Sequence, residues 1–277
     1  MVAEGSDGRV GGKLSKEERR QAIRDLVIAE GTVRIEDLAD RFAISVMTVH
    51  RDLDELAGLG VIRKNRGVAS AASTSVVEAG DLYRSTRQVG EKVAIARLAL
   101  RQIEPGQAIF LDDSTTVRAL GPLLSEITPL TVITNTLPLL NELRGIREIE
   151  LVALGGTYSY WSSAFSGGQT VEQIERLRAD VLFMSTSAVI DDQCFQPQME
   201  TVDIKRAMFA SSACRVLLVD HTKFDRRALH AQFHLSDFDL VITDELTPEN
   251  RISQMLSQGA NVLVAPLDPE DGPTCSN

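Results

Sequence analysis

The chain has 277 residues, 43% hydrophobic and 25% charged, enough to bury a sizeable core and more than one domain usually holds. No apolar run reaches the roughly 18 residues of a membrane span, and the opening MVAEGSDGRVGGKLSKEERRQ lacks the apolar segment of a signal peptide, so no membrane partner is expected and the predicted location is cytoplasmic. Cys194, Cys214 and Cys275 are odd in number and lack metal spacing, which predicts core or tail thiols in a reducing compartment, with no metal and no cofactor.

The formal net charge of −10 is unevenly placed. From Lys13 to Ser70 there are 11 basic and 10 acidic side chains, whereas from Ala71 to Asn277 there are 17 basic and 27 acidic. A near-neutral N-terminal region with a local cationic cluster suits nucleic acid, because phosphate contacts depend on the local surface, and an acidic remainder discourages indiscriminate binding.

In chain order, residues 1–14 are glycine-rich and polar and are expected to be a disordered tail. Ser15, with Glu18 three residues on, predicts a capped helix whose apolar face is Ile23, Leu26 and Val27 and whose stop is Gly31. TVRIEDLADRF predicts a second helix through Ile35, Leu38, Ala39 and Phe42. A third follows with the stripe Val46, Val49, Leu53, Leu56 and Ala57, closed by Gly58 and Gly60. VIRKNRGVA reads as two short strands around a basic turn. Three helices and a basic hairpin over residues 15–70 describe a winged helix-turn-helix, an α+β domain that is mostly α, whose third helix enters the DNA major groove.

On that third helix Met47, Thr48 and Arg51 lie opposite the stripe and Ser45 sits at its N-terminal cap, so these residues are the candidate base readers. His50 falls at the edge of the apolar face, where it either packs or touches DNA. Arg63, Lys64 and Arg66 are the candidate wing contacts to double-stranded operator DNA. Asp54 and Glu55 also face outward, but toward the C-terminal half, where their charge is tolerable.

Residues 71–90 are small and weakly patterned at first and are expected to form a linker. Residues 91–265 then change rhythm: AIFL, LTVIT, IELVAL, DVLFMS, RVLLVD, DLVIT and NVLVA are candidate strands, with helices between them at 117–124, 137–143, 171–177 and 202–213. Continuous apolar strands imply burial on both faces, hence an α/β domain with a mostly parallel sheet, expected to sense an effector and to assemble oligomers. Residues 266–277 are expected to be a second tail.

Polar residues follow these strands: Asp112, Asp113, Ser114, Thr115 and Thr116; Asn135 and Thr136; Gly155 and Gly156; Ser185, Thr186 and Ser187; Asp220 and Lys223. In an open parallel sheet the carboxyl ends share one edge and ligands bind there. Hydroxyls and free N–H groups suit a phosphate, whereas Asp112, Asp113 and Asn135 suit sugar hydroxyls. Lys205 and Lys223 either complement a phosphate or pair with Glu200 and Asp220.

The segment TVRIEDLADRFAISVMTVHRDLDELAGLGVIRKNRGVA resembles the N-terminal signature of the DeoR family of bacterial transcription regulators, and LDDSTT, TNT, LGG, METVDIKRAM, VDHTKF and VITDE follow in the family's order. The resemblance implies a C-terminal domain similar to the ribose-5-phosphate isomerase fold that senses a phosphorylated sugar, a small-molecule effector. His50, Arg66, Val68 and Asp113 depart from the usual pattern, which bears on the operator and on the ligand.

Together these readings predict a sequence-specific regulator, a repressor of a carbohydrate-utilisation operon relieved by a sugar-phosphate-type effector and acting as a homodimer or homotetramer. The competing reading is an isomerase-type enzyme carrying a DNA-binding domain, with Asp113, Glu200 and Lys205 as acid, base and electrophile. A DNA-reading head is superfluous to such an enzyme, and no titratable pair has spacing diagnostic of catalysis.

Overall fold

The computed structural model describes residues 15–58, 62–71, 80–224 and 226–267. The chain divides into two compact units, Met1–Tyr83 and Arg84–Asn277. The expected tail at 1–14, residues 268–277 of the tail expected at 266–277, Gly60 and residues 72–79 of the expected linker lie outside the described residues.

The first unit contains α1 (Lys16–Glu30), β1 (Thr32–Arg34), α2 (Ile35–Arg41), α3 (Val46–Gly58), β2 (Ile62–Asn65) and β3 (Val68–Ala71). Ser15 starts α1 through a capping box: its hydroxyl accepts from the Glu18 amide at 3.3 Å, and its own amide donates to Glu18 Oε2 at 2.8 Å. Gly31, at φ 72°, ends it. The helices pack on Ile23, Val27, Leu38, Val49, Leu53, Leu56, Ile62 and Ala69. Val46 departs from the expected stripe and is 43% exposed, because it opens α3, one turn before the helix meets its neighbours. The hairpin β2–β3 forms around Arg66 and Gly67, the glycine at φ 74°. The three-residue β1 adds to β3 to give the order β1-β3-β2; a strand that short leaves no period to read.

The expected linker 71–90 is more ordered at its ends than its composition suggested. Ala71 belongs to β3, α4 spans Asp81–Ser85, and α5 (Val89–Leu100) begins two residues before the expected boundary, after Gln88 at φ 48°.

The second unit continues with β4 (Ala108–Leu111), α6 (Thr115–Arg118), a 3-10 turn (Gly121–Glu126), β5 (Leu130–Thr134), α7 (Leu137–Leu143), β6 (Ile149–Ala153), β7 (Thr157–Ser159), β8 (Ala164–Ser166), α8 (Gly168–Glu175), β9 (Ala179–Met184), β10 (Ala188–Ile190), β11 (Gln193–Gln196), α9 (Met199–Ala210), β12 (Ser212–Leu218), β13 (His230–His234), β14 (Leu240–Asp244), α10 (Glu249–Ser257) and β15 (Val262–Ala265). All seven expected strands join one sheet in the order β15-β14-β12-β9-β4-β5-β6, every pairing parallel. Its alternate residues feed two cores. Ile109, Leu111, Val132, Phe183, Val216 and Ile242 pack under α5, α6 and α7, whereas Phe110, Ile133, Leu182, Met184, Leu217 and Val241 pack under α8, α9 and α10. Burial on both faces is why these strands read as unbroken apolar runs.

The helix expected over 117–124 is split into α6 and the 3-10 turn. Pro122 has no amide hydrogen and its ring clashes with the carbonyl four residues back, which ends an α-helix there. The hairpin β7–β8 and the antiparallel sheet β10-β11-β13 carry no expectation from the sequence; each is built from strands of three to five residues.

Candidate functional site

The first candidate surface is α3 with the wing. Ser45 lies at the start of the helix, its Oγ accepting from the Thr48 amide at 3.2 Å and lying 2.9 Å from the Thr48 hydroxyl. Met47 is 63% exposed and Arg51 is exposed, so the face opposite the core offers an apolar tip and a cation together, with Thr48 and His50 half-buried between them. Arg63 and Arg66 are exposed on the wing and make no ion pair among the described residues. Lys64 differs: its Nζ donates to Asp54 Oδ1 at 2.6 Å, so a helix carboxylate already answers its charge.

The helix is held by a pair that the sequence reading missed. Asp52 is buried against α1, accepting from Arg19 Nε at 2.7 Å and from Arg20 Nε at 3.1 Å. The outward Glu55 pairs with Lys16 at 3.6 Å and also with Arg20. A carboxylate three residues after Val49, on the apolar side of the wheel, was the available signal for a buried ion pair.

The second candidate surface is the carboxyl edge of the parallel sheet, where strand order fixes the order of the polar residues: Asp244 ending β14, Asp220 after β12, Ser185 after β9, Asp112 after β4 and Asn135 after β5. Asp112 is at its centre and 1% exposed. Its carboxylate accepts from the amides of Ser114 at 2.9 Å and Ser185 at 2.8 Å, and pairs directly with Lys205 Nζ. Lys205 also lies 3.3 Å from Asp113 Oδ1 and donates to the Ser185 carbonyl at 3.1 Å. Burial alone would lower its pKa, yet Asp112 and Asp113 together hold it above the usual lysine value, so it is a fixed cation. Its partners are these two aspartates, and the pairing with Glu200 raised by the sequence is not formed.

Ser114 caps α6 through the Val117 amide at 3.2 Å, and Thr115 and Thr116 are buried in that helix's first turn. Asn135 is buried, its Nδ2 donating to the Phe165 carbonyl at 2.8 Å, and its Oδ1 has no partner among the described residues. Such a buried acceptor is costly unless something donates to it. The neighbouring Thr136 is buried, its amide bonded to Thr134 Oγ1 at 3.2 Å. Thr186 bonds the Phe195 carbonyl at 2.9 Å, and Ser187 donates to Gln196 Oε1 at 2.8 Å, so both tie β9 to β11.

Three further expected positions are Gly155, Gly156 and Glu200. The Gly155 carbonyl accepts from Thr170 Oγ1 at 2.7 Å, and a Cβ on Gly156 would meet that hydroxyl oxygen at 2.2 Å, so the missing side chain of Gly156 lets the loop close on α8. Glu200 is exposed on the first turn of α9 and lines an open groove of about 810 Å³ with Gly168, Glu172 and Arg206. Five helical residues turn through about 140°, which puts Glu200 and Lys205 on different faces of α9. Asp113, Glu200 and Lys205 are therefore not gathered into the catalytic set considered from the sequence.

At the β12 end a cationic cluster gathers around Asp220. Lys223 lies one turn on, and burial with the like charges of Lys223, Arg84 and Arg226 lowers Lys92 to about 8, opposed by Asp220 alone among the described residues. Asp220 is held below the usual carboxylate range: burial would raise it, but Lys223, the Thr222 hydrogen bonds, Arg226 and Lys92 outweigh that. Lys92 was missed; it stands on the apolar face of α5 with Ile95, Ala96 and Ala99, and a lysine in that stripe was its signal. The VDHTKF and VITDE motifs meet here as well, His221 Nδ1 lying 2.9 Å from Asp244 Oδ1.

A helix-turn-helix domain followed by an α/β domain built on a seven-stranded parallel sheet defines a DNA-binding transcription regulator with a separate sensor domain. The chain belongs to the DeoR family: the DeoR-like helix-turn-helix domain matches residues 19–75 and the DeoR C terminal sensor domain matches residues 87–245. It is 31% identical over 248 residues to the uncharacterized HTH-type transcriptional regulator YgbI of Escherichia coli (strain K12), covering 90% of this chain and 97% of that protein. It is also 31% identical to the lactose phosphotransferase system repressor of Staphylococcus aureus (strain N315), covering 83% and 93%, and to the glycerol-3-phosphate regulon repressor of Escherichia coli (strain K12), covering 85% and 93%. A solved D-ribose-5-phosphate isomerase in complex with phospho-erythronic acid is similar over 48% of this chain and 52% of that one, at 16% identity and TM-score 0.36, a likeness too slight to argue from. No helix among the described residues is long and apolar enough to cross a membrane.

Proposed function

We propose that the protein represses a carbohydrate-utilisation operon and is released from its operator by a phosphorylated sugar bound along the carboxyl edge of the sheet. The observation that carries the effector reading is the gathering of cations at the β12 end, where the buried Lys92 and Lys223 and the exposed Arg226 surround the buried Asp220. Buried like charges are costly, and a bound dianion relieves them. At the β4–β5 end the unpartnered Asn135 Oδ1 and the Asp113 carboxylate offer acceptors for hydroxyls. One edge thus presents an anion site and a polyol site, which suits a sugar phosphate better than either a free sugar or an inorganic anion. The relatives named for lactose phosphotransferase and glycerol-3-phosphate regulation agree with this chemistry. DNA reading rests on Ser45, Met47, Thr48, Arg51 and the wing cations, and a two-fold operator requires at least two copies.

The test is a thermal-shift panel of sugar phosphates and the matching free sugars on the full chain, followed by operator titration with each hit. A ligand at about 100 times its Kd stabilises by about 2.7 kcal/mol. Phosphorylated sugars should raise Tm and weaken operator binding, while the free sugars should do neither. A free sugar that matched its phosphate would refute the anion site, and turnover of ribose 5-phosphate would favour the isomerase.

A further inference from the structure

Lys92 joins the cationic cluster to the stretch of chain that leads out of the DNA-reading unit. It is 6% exposed, near the start of α5, and its Nζ donates to the main-chain carbonyls of Arg84 at 2.5 Å and Arg87 at 2.7 Å. Arg84 opens the second unit, directly after the last residue of the first. Its guanidinium carbon lies 5.1 Å from the ring centroid of Trp161, in the turn between β7 and β8. The β8 end of that hairpin is bonded to the Asn135 loop, the Phe165 amide donating to the Asn135 carbonyl at 2.8 Å. Lys92 thus holds the main chain of Arg84 and Trp161 lies against its side chain, and each of these contacts leads back to one end of the effector edge.

We propose, resting on the reading that an anion binds at the β12 end, that Lys92 is an anion-released tether. Without the anion its ammonium holds the carbonyls of Arg84 and Arg87; with it, the ammonium turns toward the anion and lets go of those two carbonyls. The competition has a clear direction. A neutral carbonyl gives an ammonium a weaker bond than a phosphate oxygen does, since the carbonyl carries only a partial negative charge and the phosphate a full one. Burial and the neighbouring Lys223, Arg84 and Arg226 all disfavour the charge on Lys92, so a dianion beside it relieves it directly. Loss of the two carbonyl bonds loosens the turn in which the Arg87 amide reaches back to the Arg84 carbonyl at 3.3 Å. The signal needs no change in the sheet, only a side chain with two alternative partners, which is the kind of two-state element that coupling between sites requires.

The experiment is hydrogen exchange of the full chain, followed in peptides covering residues 81–92, with and without inorganic phosphate, on wild type and Lys92→Met. The emission of Trp161, the single tryptophan, is recorded alongside, and phosphate binding is checked independently by thermal shift. Phosphate should speed exchange at 84–88 about tenfold in wild type and shift the emission, because local opening sets the exchange rate. Lys92→Met should exchange fast without phosphate and gain nothing from it. If phosphate raises Tm but leaves both exchange and emission unchanged, or slows exchange at 84–88, the tether is overturned and the effector site stands. If phosphate gives no shift in Tm, the anion reading fails, and the tether is then judged by whether Lys92→Met exchanges faster than wild type at 84–88; equal rates overturn it. Should Lys92→Met not fold, Lys92→Gln, which keeps a polar tip but reaches less far, takes its place in each comparison.

Discussion

The wing offers a test whose size follows from the observed pairings. Arg63 and Arg66 are exposed without an ion partner among the described residues, whereas Lys64 is neutralised by Asp54 at 2.6 Å. Each cation that displaces a counterion from duplex DNA adds about 0.9 to the slope of log affinity against log salt. Across a fourfold rise in salt this is about 3.5-fold in affinity per contact. Arg63→Ala and Arg66→Ala should each flatten the slope by about 0.9, and the double variant by about 1.8. Lys64→Ala should cost less, because the exposed Asp54 already offsets its charge in the free protein. Asp54→Asn should do the opposite, steepening the slope by freeing Lys64. The assay is fluorescence anisotropy on a labelled duplex of arbitrary sequence, since phosphate contacts weaken binding to all sequences alike, at four salt concentrations, with circular dichroism to confirm folding. Folded Arg63→Ala and Arg66→Ala variants with the wild-type slope would refute the wing as a phosphate contact. A Lys64→Ala effect equal to the arginines' would show that the Asp54 pair does not persist in solution.

Two further outcomes are expected from buried charges. Asp52→Ala should destabilise the DNA-reading unit by about 2–3 kcal/mol in urea unfolding, toward the low end of what a broken buried pair costs, because Arg19 and Arg20 both reach water and rehydrate; a loss under about 0.5 kcal/mol would mean the pair does not fix α3 to α1. Anion binding should weaken as pH rises through about 8. Lys92 is lowered to that value by burial and by Lys223, Arg84 and Arg226, with Asp220 opposing, and above it the ammonium that meets the anion is lost. Sulfate is the probe of choice because its charge is constant over this range, and calorimetric affinities that do not change from pH 7 to 9 would exclude Lys92 from the site.

Much of this protein was determined by the sequence alone. The Ser15–Glu18 box, the helix stripes and the basic turn are local patterns, with partners within a few residues, and all three are found in the structure, the stripe of α3 without Val46. The seven apolar runs were legible as strands because a sheet buried on both faces leaves no polar alternation to blur them. Where Pro122 broke a helix or three residues made a strand, the pattern was too short to outweigh local chemistry. Only the tertiary structure decided who meets whom. The order β15-β14-β12-β9-β4-β5-β6 sets Asp112 against Ser185 and Lys205, residues 73 and 93 positions away along the chain. The same packing turns Glu200 away to a separate groove, gives Gly155 and Gly156 to α8, and places Lys92 between a carboxylate and two carbonyls. Charged groups depend on their surroundings over several ångströms in three dimensions, and strand order, which carries no local signature, determines those surroundings.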